Sequence, residues 1–177
     1  MSKEAWGYDQ EPPETAFLAG VVDAYADRLS AFCTGIFALD MDIFHVPDNN
    51  MMLLNDTVKK RLLYYHRRIG GDSVTEDEIN RLNLRLNRRE ITGTFSRFYA
   101  GECELPPESQ KKLEEADREG ARILEWHLGK PLYFLEPERP DDALPILGNI
   151  YLGMGFYYYF VQYEREYAVL FVCGSCE

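Results

Sequence analysis

The sequence contains none of the short motifs that identify several large enzyme classes. It has no Gly-x-Ser-x-Gly nucleophile turn, no glycine-rich loop leading into Lys-Ser or Lys-Thr, and no His-Glu-x-x-His pair. Its three histidines are scattered along the chain. These absences remove the usual signs of a nucleophile, a phosphate loop or a zinc protease, so we expect no catalytic residue, no cofactor and no metal ligand.

Basic residues are also in short supply. The chain holds 19 Lys and Arg against 30 Asp and Glu, which gives a net charge of -11. Nucleic-acid phosphates and anionic lipids repel such a protein, so we expect neither nucleic acid nor a membrane as its partner. Within residues 55–100 basic side chains outnumber acidic ones, so the excess of acidic residues lies in the rest of the chain.

An apolar secretory segment is missing from the beginning of the chain, because Met1 to Pro13 is polar and acidic. The four cysteines then indicate free thiols in a reducing compartment rather than a disulfide scaffold, so we expect a cytoplasmic protein. Internal repeats and low-complexity tracts are absent as well. We expect one globular domain over residues 1–177, with residues 1–12 flexible.

What the sequence does have is a long apolar stretch near its end. Residues 143–163 carry no charge, Glu164-Arg165-Glu166 follow, and a second apolar run extends from Tyr167 to Cys173. The first run is long enough to cross a bilayer, but its proline, asparagine, glycines and tyrosines favour a buried strand. We predict two strands joined by a polar turn and apolar on both faces.

Alternation along the first of these strands separates two sets of side chains. One set is Phe156, Tyr158, Phe160 and Gln162, and the other is Tyr157, Tyr159, Val161 and Tyr163. Helices cover one face of such a hairpin easily. The remaining, tyrosine-rich face is expected to meet loops, a second layer or another molecule.

Four helices are predicted before the hairpin. They cover about residues 12–37, 55–70, a segment from about 75, and 106–129. Prolines begin the first and fourth, Asn55 or Asp56 caps the second, and a capping box near Thr75 begins the third. This order predicts an α+β protein, with about four N-terminal and central helices packed on an antiparallel sheet that the C-terminal hairpin completes.

Apolar periodicity assigns the inner faces of these helices. On the third helix we expect an inner face of Ile79, Leu82 and Leu86, with Arg81, Arg85, Arg88 and Arg89 mostly outward. On the fourth we expect Leu113, Ala116, Ala121, Ile123, Leu124 and Trp126 to face inward. Residues 91–99 and 132–135 are typical of strands, and 40–46 is ambiguous.

Two cysteines near the end of the chain form one candidate site. Cys173 and Cys176 have the spacing at which two thiolates share a metal ion or form a redox disulfide. A redox pair needs a helix after it, and a zinc site needs two further ligands that no second close pair supplies. A strand-end cysteine packed as a small apolar residue, beside an exposed one, explains the spacing more simply.

A second candidate site combines Asp40, Asp42 and His45, with Asp48 shortly after them. Alternate residues of a strand share a face, and hard cations such as Mg²⁺ prefer oxygen ligands. An acidic connecting segment has the same composition.

A basic stretch forms the third candidate. Its members are Lys59, Lys60, Arg61, Arg67, Arg68, Arg81, Arg85, Arg88 and Arg89, which are expected on two neighbouring helices. Such a face could bind phosphate or an acidic protein. A solvated face that pairs with the acidic remainder of the same protein is the simpler interpretation.

The acidic charge, the aromatic content of 14% and the missing catalytic motifs together favour a non-catalytic interaction protein. An inhibitor or immunity-type protein that neutralises a basic toxin or nuclease has this profile, with acidic groups steering association and aromatic anchors supplying affinity. The expected contact residues lie on the first and fourth helices. They are Asp23, Asp27, Glu114, Glu115 and Asp117.

The alternative is a small enzyme or metal-binding protein with a site assembled from loops. Its groups would be Asp40, Asp42 and His45, or the thiols of Cys173 and Cys176. A homo-oligomer that uses the tyrosine-rich face is compatible with either function.

Overall fold

The structure, a computed structural model, describes residues 12–32, 37–69, 75, 77, 86–90, 105–137 and 156–175. Within these ranges the protein is α+β, with three helices and one five-stranded antiparallel sheet. The predicted fold class is confirmed at this level, whereas the predicted number of four helices is not.

Helices and strands are interspersed along the chain. In order they are α1 (Glu14–Ser30), β1 (Phe37–His45), a 3₁₀ turn (Pro47–Asn49), α2 (Met51–Ile69), β2 (Leu86–Glu90), α3 (Pro107–Leu128), β3 (Pro131–Pro137), β4 (Phe156–Tyr163) and β5 (Tyr167–Ser175). The order across the sheet is β1-β5-β4-β3-β2, and all neighbouring strands are antiparallel. The C-terminal hairpin of β4 and β5 therefore lies in the middle of the sheet.

The first helix begins where its sequence predicts but ends earlier. Pro13 precedes it, and Glu14 places an acidic group in its first turn, where the helix dipole favours one. The helix ends at Ser30 instead of near residue 37, and Phe37, the predicted end, instead begins β1 and pairs with Ser175 of β5. Sheet pairing thus overrides the helical period of the apolar residues at this point.

The second helix also has a different boundary from the predicted one. The Oδ1 atom of Asn50 accepts a hydrogen bond from the backbone N–H of Met52 at 2.9 Å, and the Asn50 carbonyl accepts one from Leu54 at 3.1 Å. Asn50 is therefore the N-cap, and the predicted caps Asn55 and Asp56 lie inside α2.

A strand occupies residues that the sequence assigned to the third helix. Arg88 pairs with Leu135 and Arg89 with Phe134 in the ladder between β2 and β3. Leu86 begins this strand, so the predicted helix does not include it. Pairing with β3 overrides the helix preference of this short polar segment. Apart from Thr75 and Asp77, the other residues predicted for that helix, and the predicted strand 91–99, lie outside the described residues.

The helix α3 has the predicted boundaries but a different inner face. Pro106 precedes it, and Gly129 with a φ of 78° follows its last residue. Its buried residues are Leu113, Ala116, Asp117, Gly120, Leu124 and Leu128. Ile123 and Trp126, which were predicted to face inward, are instead 42% and 80% exposed.

The sheet face that meets α1 and α3 carries the main core. From the sheet it contains Met41, Ile43, Phe134, Tyr159, Val161, Tyr163, Tyr167, Val169 and Phe171. The ring of Tyr159 stacks on Phe134 and Phe171, with centroid separations of 4.7 and 4.9 Å. The described part of the tyrosine-rich face is therefore covered by a second layer of this chain's own helices, which of the three expected alternatives excludes loops and another molecule there.

The opposite face of the sheet is buried as well. Phe44 and Phe160 are almost inaccessible, and their ring centroids lie 6.3 Å apart. The side-chain amide of Gln162 donates to Oδ1 of Asn49, in the 3₁₀ turn that precedes α2. Leu54 and Val58 of α2 are buried. The hairpin is thus buried on both faces.

The charge-free run 143–163 supplies β4 through its last eight residues, 156–163, and its other residues lie outside the described part. Across the described ranges, no helix combines the length and the apolar character needed to cross a membrane.

The turn between β4 and β5 fastens the hairpin to the end of α3. The backbone N–H of Arg165 donates to the carbonyl of Leu128 at 3.0 Å, and its guanidinium donates to the carbonyl of His127 at 3.0 Å. Glu164 accepts a hydrogen bond from the Lys130 N–H at 2.9 Å. Carbonyls at a helix C-terminus have no partner within the helix, so the turn satisfies groups that would otherwise need water.

Candidate partner-binding surface

The helices α1 and α3 lie side by side on the same face of the sheet. At one end of the pair, the rings of Phe17 and His127 meet edge to face with centroids 5.4 Å apart. Further along, the guanidinium of Arg28 forms a 2.7 Å salt bridge with Glu119. Because the earlier residue of α1 meets the later residue of α3, the two helices run antiparallel.

A polar contact lies in the buried seam between these helices. The Tyr25 hydroxyl donates to the backbone carbonyl of Asp117 at 3.1 Å and to Oδ1 of the same residue. The Tyr25 ring packs directly on Gly120, where a Cβ atom would overlap the ring carbons. Glycine is therefore required at position 120 for the two helices to approach this closely.

The carboxyl group of Asp117 is in an environment that disfavours its charge. The residue is 1% exposed, and its Oδ2 atom has no hydrogen-bond partner in the part of the chain that the structure describes. Burial raises the pKa of Asp117 to about 6, although the Tyr25 hydrogen bond and the nearby Arg118 act in the opposite direction. Burial likewise raises the pKa of both Tyr25 and Tyr163.

This placement corrects one of the predicted contact residues. Asp117 was assigned to an acidic outer face, but it is buried and bonded to α1, so it is not available at the surface. The sequence offers little warning of this, since Asp117 lies among charged residues and its partner Tyr25 is distant in the chain.

The other four predicted contact residues lie at or near the surface. Asp23, Asp27 and Glu115 are exposed, and Glu114 is half-buried, with its side chain accepting a hydrogen bond from Gln110. Burial raises the pKa of Asp23, and the neighbouring carboxylate of Asp27 raises it further. The structure thus brings two acidic pairs onto neighbouring helices of one layer.

An exposed apolar strip, which sequence patterns did not reveal, lies on the same helix pair. It consists of Phe17, Ile123 and Trp126, which are 60%, 42% and 80% exposed. Ile123 is separated by three and four residues from Trp126 and His127, so these side chains are neighbours on α3, and Phe17 contacts His127. The sequence contains one indication that Ile123 and Trp126 face outward, because Gly120, Leu124 and Leu128 form a stripe along a different face of α3. This stripe is hard to recognise as an inner face because one of its members is a glycine.

The predicted cluster of Asp40, Asp42 and His45 does not form a single constellation. Asp42 and His45 lie on opposite faces of β1 by strand alternation. Oδ1 of Asp42 accepts a hydrogen bond from the N–H of Ile43 at 2.8 Å, whereas His45 packs on Tyr167 and lies 3.7 Å from a Glu166 oxygen. Among the described residues, no group of three Asp, Glu, His or Cys side chains is arranged to hold a metal ion.

Three residues with left-handed backbone conformations lie near one end of the sheet. Asp48, Asn49 and Glu166 have φ values of 54°, 52° and 62°. The Glu166 carbonyl accepts from the Val46 N–H at 2.6 Å, and a Glu166 carboxylate oxygen accepts from the Asp48 N–H at 3.1 Å. These bonds join the β1–α2 connection to the hairpin turn, so this cluster has a structural role.

The cysteine pair is only partly within the described residues. Cys173 lies in β5, in register with Leu39 of β1 and Tyr157 of β4. Cys33, Cys103 and Cys176 lie outside the described part of the chain, so the proposed metal or redox pair stays a prediction.

Two of the arginines expected on a basic helical face make contacts within the sheet. The Arg88 guanidinium lies 3.3 Å from the centroid of the Tyr133 ring, and Arg89 forms a salt bridge with Glu136. Because both arginines belong to β2, the expectation that they share two neighbouring helices with Lys59 and Lys60 is wrong.

Comparison with protein-family models, with curated proteins and with solved structures finds no match to this chain.

Proposed function

We propose that this protein is a non-catalytic interaction protein that binds a basic protein through the outer surface of α1 and α3. The observation that carries this proposal is the exposed apolar strip of Phe17, Ile123 and Trp126. Tryptophan is enriched among the residues that dominate binding energy at interfaces, since it combines a large area with few torsions to order. A tryptophan that is 80% exposed on a helix with a well-packed inner face has no role in the core.

Charge supports a basic partner. The net charge of -11 creates a field that attracts cationic proteins and speeds their association. Asp23, Asp27 and Glu115 are exposed on the same two helices that carry the strip. In this proposal the apolar strip supplies affinity, and the acidic side chains supply steering and register.

An inhibitor or immunity-type role follows from this division of labour. A protein that neutralises a basic toxin or nuclease has to cover a cationic surface by charge and shape complementarity, and it needs no catalytic group of its own. Asp23, Asp27, Glu114 and Glu115 are the acidic residues we assign to that contact. Such a complex forms in the compartment that contains the target, which we propose to be the cytoplasm.

The test is a comparative capture experiment from cells that produce the protein. Immobilised wild-type protein is compared with Trp126→Ala and with the control Met52→Ala, which removes another exposed apolar side chain, 67% accessible, from α2. We expect a stoichiometric basic protein with the wild type and with the control. Trp126→Ala should weaken its binding about 30-fold or more, the effect of removing a central anchor.

Three outcomes would contradict the proposal. The first is that no stoichiometric protein is captured, and the second is that the captured protein is acidic. The third is that Trp126→Ala and Met52→Ala bind the partner equally well. Light scattering of the purified protein completes the test, because a dimer that Trp126→Ala dissociates would assign the strip to a second copy of this chain.

A further inference from the structure

We propose that Asp117 makes the junction between α1 and α3 sensitive to pH, so that protonation of its carboxyl group strengthens the packing of these two helices. The consequence of this pH sensitivity for partner binding rests on the proposed function, because the same helices carry the proposed partner-binding surface. The effect on the helix junction itself stands independently of any partner.

The geometry of the seam carries the inference. The Asp117 carboxyl group lies in the buried seam between the two helices, with Oδ1 accepting from the Tyr25 hydroxyl and Oδ2 without a hydrogen-bond partner among the described residues. An ionised carboxylate that is buried with one oxygen unsatisfied loses its hydration without full compensation. A neutral carboxyl group at the same place loses much less, so the native packing favours the protonated form.

The surrounding groups do not remove this preference. From α1 the group facing Asp117 is Tyr25, and from β4 it is Tyr163, both neutral across the relevant range because burial raises the pKa of each. Among the described residues, Arg118 on α3 is a cation that acts on the carboxylate, and its side chain is exposed, so water screens its charge. Glu125 contributes to the raised pKa of Tyr163, and Tyr159 contributes to the raised pKa of Tyr25.

The sign of the pH dependence follows from these surroundings. The pKa of Asp117 is about 6 in the folded protein and 3.8 in the unfolded chain, so the folded state binds the proton more tightly between these values. The resulting stability is complete below about pH 3.8 and is lost as the pH rises through about 6. From pH 7 to pH 5, this group alone raises the folding equilibrium constant about ten-fold.

Two variants isolate this contribution. Denaturant unfolding of wild type, Asp117→Asn and the exposed control Glu115→Gln is compared at pH 7 and pH 5. For each protein we take the ratio of the folding equilibrium constant at pH 5 to that at pH 7. We expect this ratio to be about ten-fold smaller for Asp117→Asn than for wild type, and for Glu115→Gln to equal the wild-type ratio. Equal ratios for wild type and Asp117→Asn would overturn the proposal.

A direct titration protects the test from a variant that fails to fold. Carboxyl ¹³C NMR of the intact wild-type protein should give Asp117 a midpoint near pH 6. The Tyr25→Phe variant should shift that midpoint upward, because the lost hydroxyl no longer stabilises the ionised form. A wild-type midpoint near 4 would overturn the proposal as well.

Amide hydrogen exchange separates this proposal from the function proposed above. After correction for the intrinsic exchange rates, amides of α1 and α3 should exchange more slowly at pH 5 than at pH 7 in wild type, and by a smaller factor in Asp117→Asn. If that holds while the capture experiment recovers no partner, the junction is established and the binding function fails. If Asp117 titrates near pH 6 but wild type and Asp117→Asn show the same change in exchange rate between pH 7 and pH 5, then protonation of Asp117 does not strengthen the packing of the helices and the proposal fails.

Discussion

Gly120 shows how one residue sets the distance between two helices. Its missing side chain makes room for the Tyr25 ring, and this brings the tyrosine hydroxyl to Asp117. A glycine in a helix interior normally lowers stability relative to alanine. Here the close approach of the neighbouring helix is the compensation.

Replacement of Gly120 by alanine is therefore expected to destabilise the protein by about 1–3 kcal/mol, because the added methyl group overlaps the Tyr25 ring. The matched control is Gly20→Ala in α1, where a Cβ atom would have no neighbour within 4 Å. That substitution should stabilise the protein by about 0.5–1 kcal/mol through helix propensity alone. Denaturant unfolding measures both, and stabilisation by Gly120→Ala would show that the seam is looser than described.

Residue-scale reading of the sequence succeeds where a side chain has a local partner. The starts of α1 and α3, after Pro13 and Pro106, were both predicted from the prolines in the sequence, because a helix end imposes requirements within a few residues. Asp117 was misassigned because its partner Tyr25 is far away in the chain. Nothing local distinguishes a buried aspartate from an exposed one.

Element boundaries depend on which of several competing local signals is satisfied in space. For α2 the sequence predicted Asn55 or Asp56 as the cap, but it is the side chain of Asn50 that accepts a hydrogen bond from the backbone N–H of Met52. The 3₁₀ turn directly before α2 leaves Asn50 in extended conformation, with φ -79° and ψ 109°. An N-cap has such non-helical angles.

We expect Asn50→Ala to lower the free energy of unfolding by about 1 kcal/mol, since it removes the N-cap acceptor of α2. Asp56→Ala, at an exposed position inside the helix, should change it by less than about 0.5 kcal/mol. The two variants are compared by their denaturant unfolding midpoints, provided that the dependence of the unfolding free energy on denaturant concentration is the same for both. A larger loss for Asp56→Ala than for Asn50→Ala would restore the boundary predicted from the sequence.

The C-terminus of α3 gives a second prediction at this scale. Arg165→Ala removes the hydrogen bond to the His127 carbonyl and a cation near the negative end of the helix dipole. We expect a loss of about 0.5–1 kcal/mol. Lys130→Ala removes an exposed cation close to the same helix end and should cost less, so equal losses in thermal unfolding would argue against a specific cap.

At the scale of the whole molecule, the central hairpin organises everything else. Its two strands have apolar side chains on both faces, and each face is buried. Phe171 stacks on Tyr159 on the sheet face that meets α1 and α3, and Phe160 packs against Phe44 on the opposite face. The sheet is thus a middle layer of the fold.

Truncation of either face should therefore be severe. We expect Phe171→Ala and Phe160→Ala each to destabilise the protein by about 3–5 kcal/mol, the cost of a large cavity in a core. Phe17→Ala, at the exposed strip, should cost less than about 0.5 kcal/mol. Denaturant unfolding distinguishes these values, and a small loss for Phe160→Ala would mean that the second face is open.

Elements with local or strongly periodic signals could be predicted from the amino-acid sequence alone. These are the start of α1, both ends of α3, and the C-terminal hairpin with its polar turn at residues 164–166, because backbone hydrogen bonding and residue alternation act over short distances. The α+β class followed from their order. Contacts between distant segments determined where a strand takes residues predicted as helix, as at Phe37 and Arg88.

The tertiary structure also decided which side chains reach the surface of α3. Trp126 is exposed and Asp117 is buried, the reverse of what hydrophobicity alone predicts. The physical reason is that α3 packs on α1 through Gly120, and this contact sets the rotation of the helix about its axis. A residue without a side chain contributes nothing to an apolar pattern, yet here it fixes which face of the helix is turned outward.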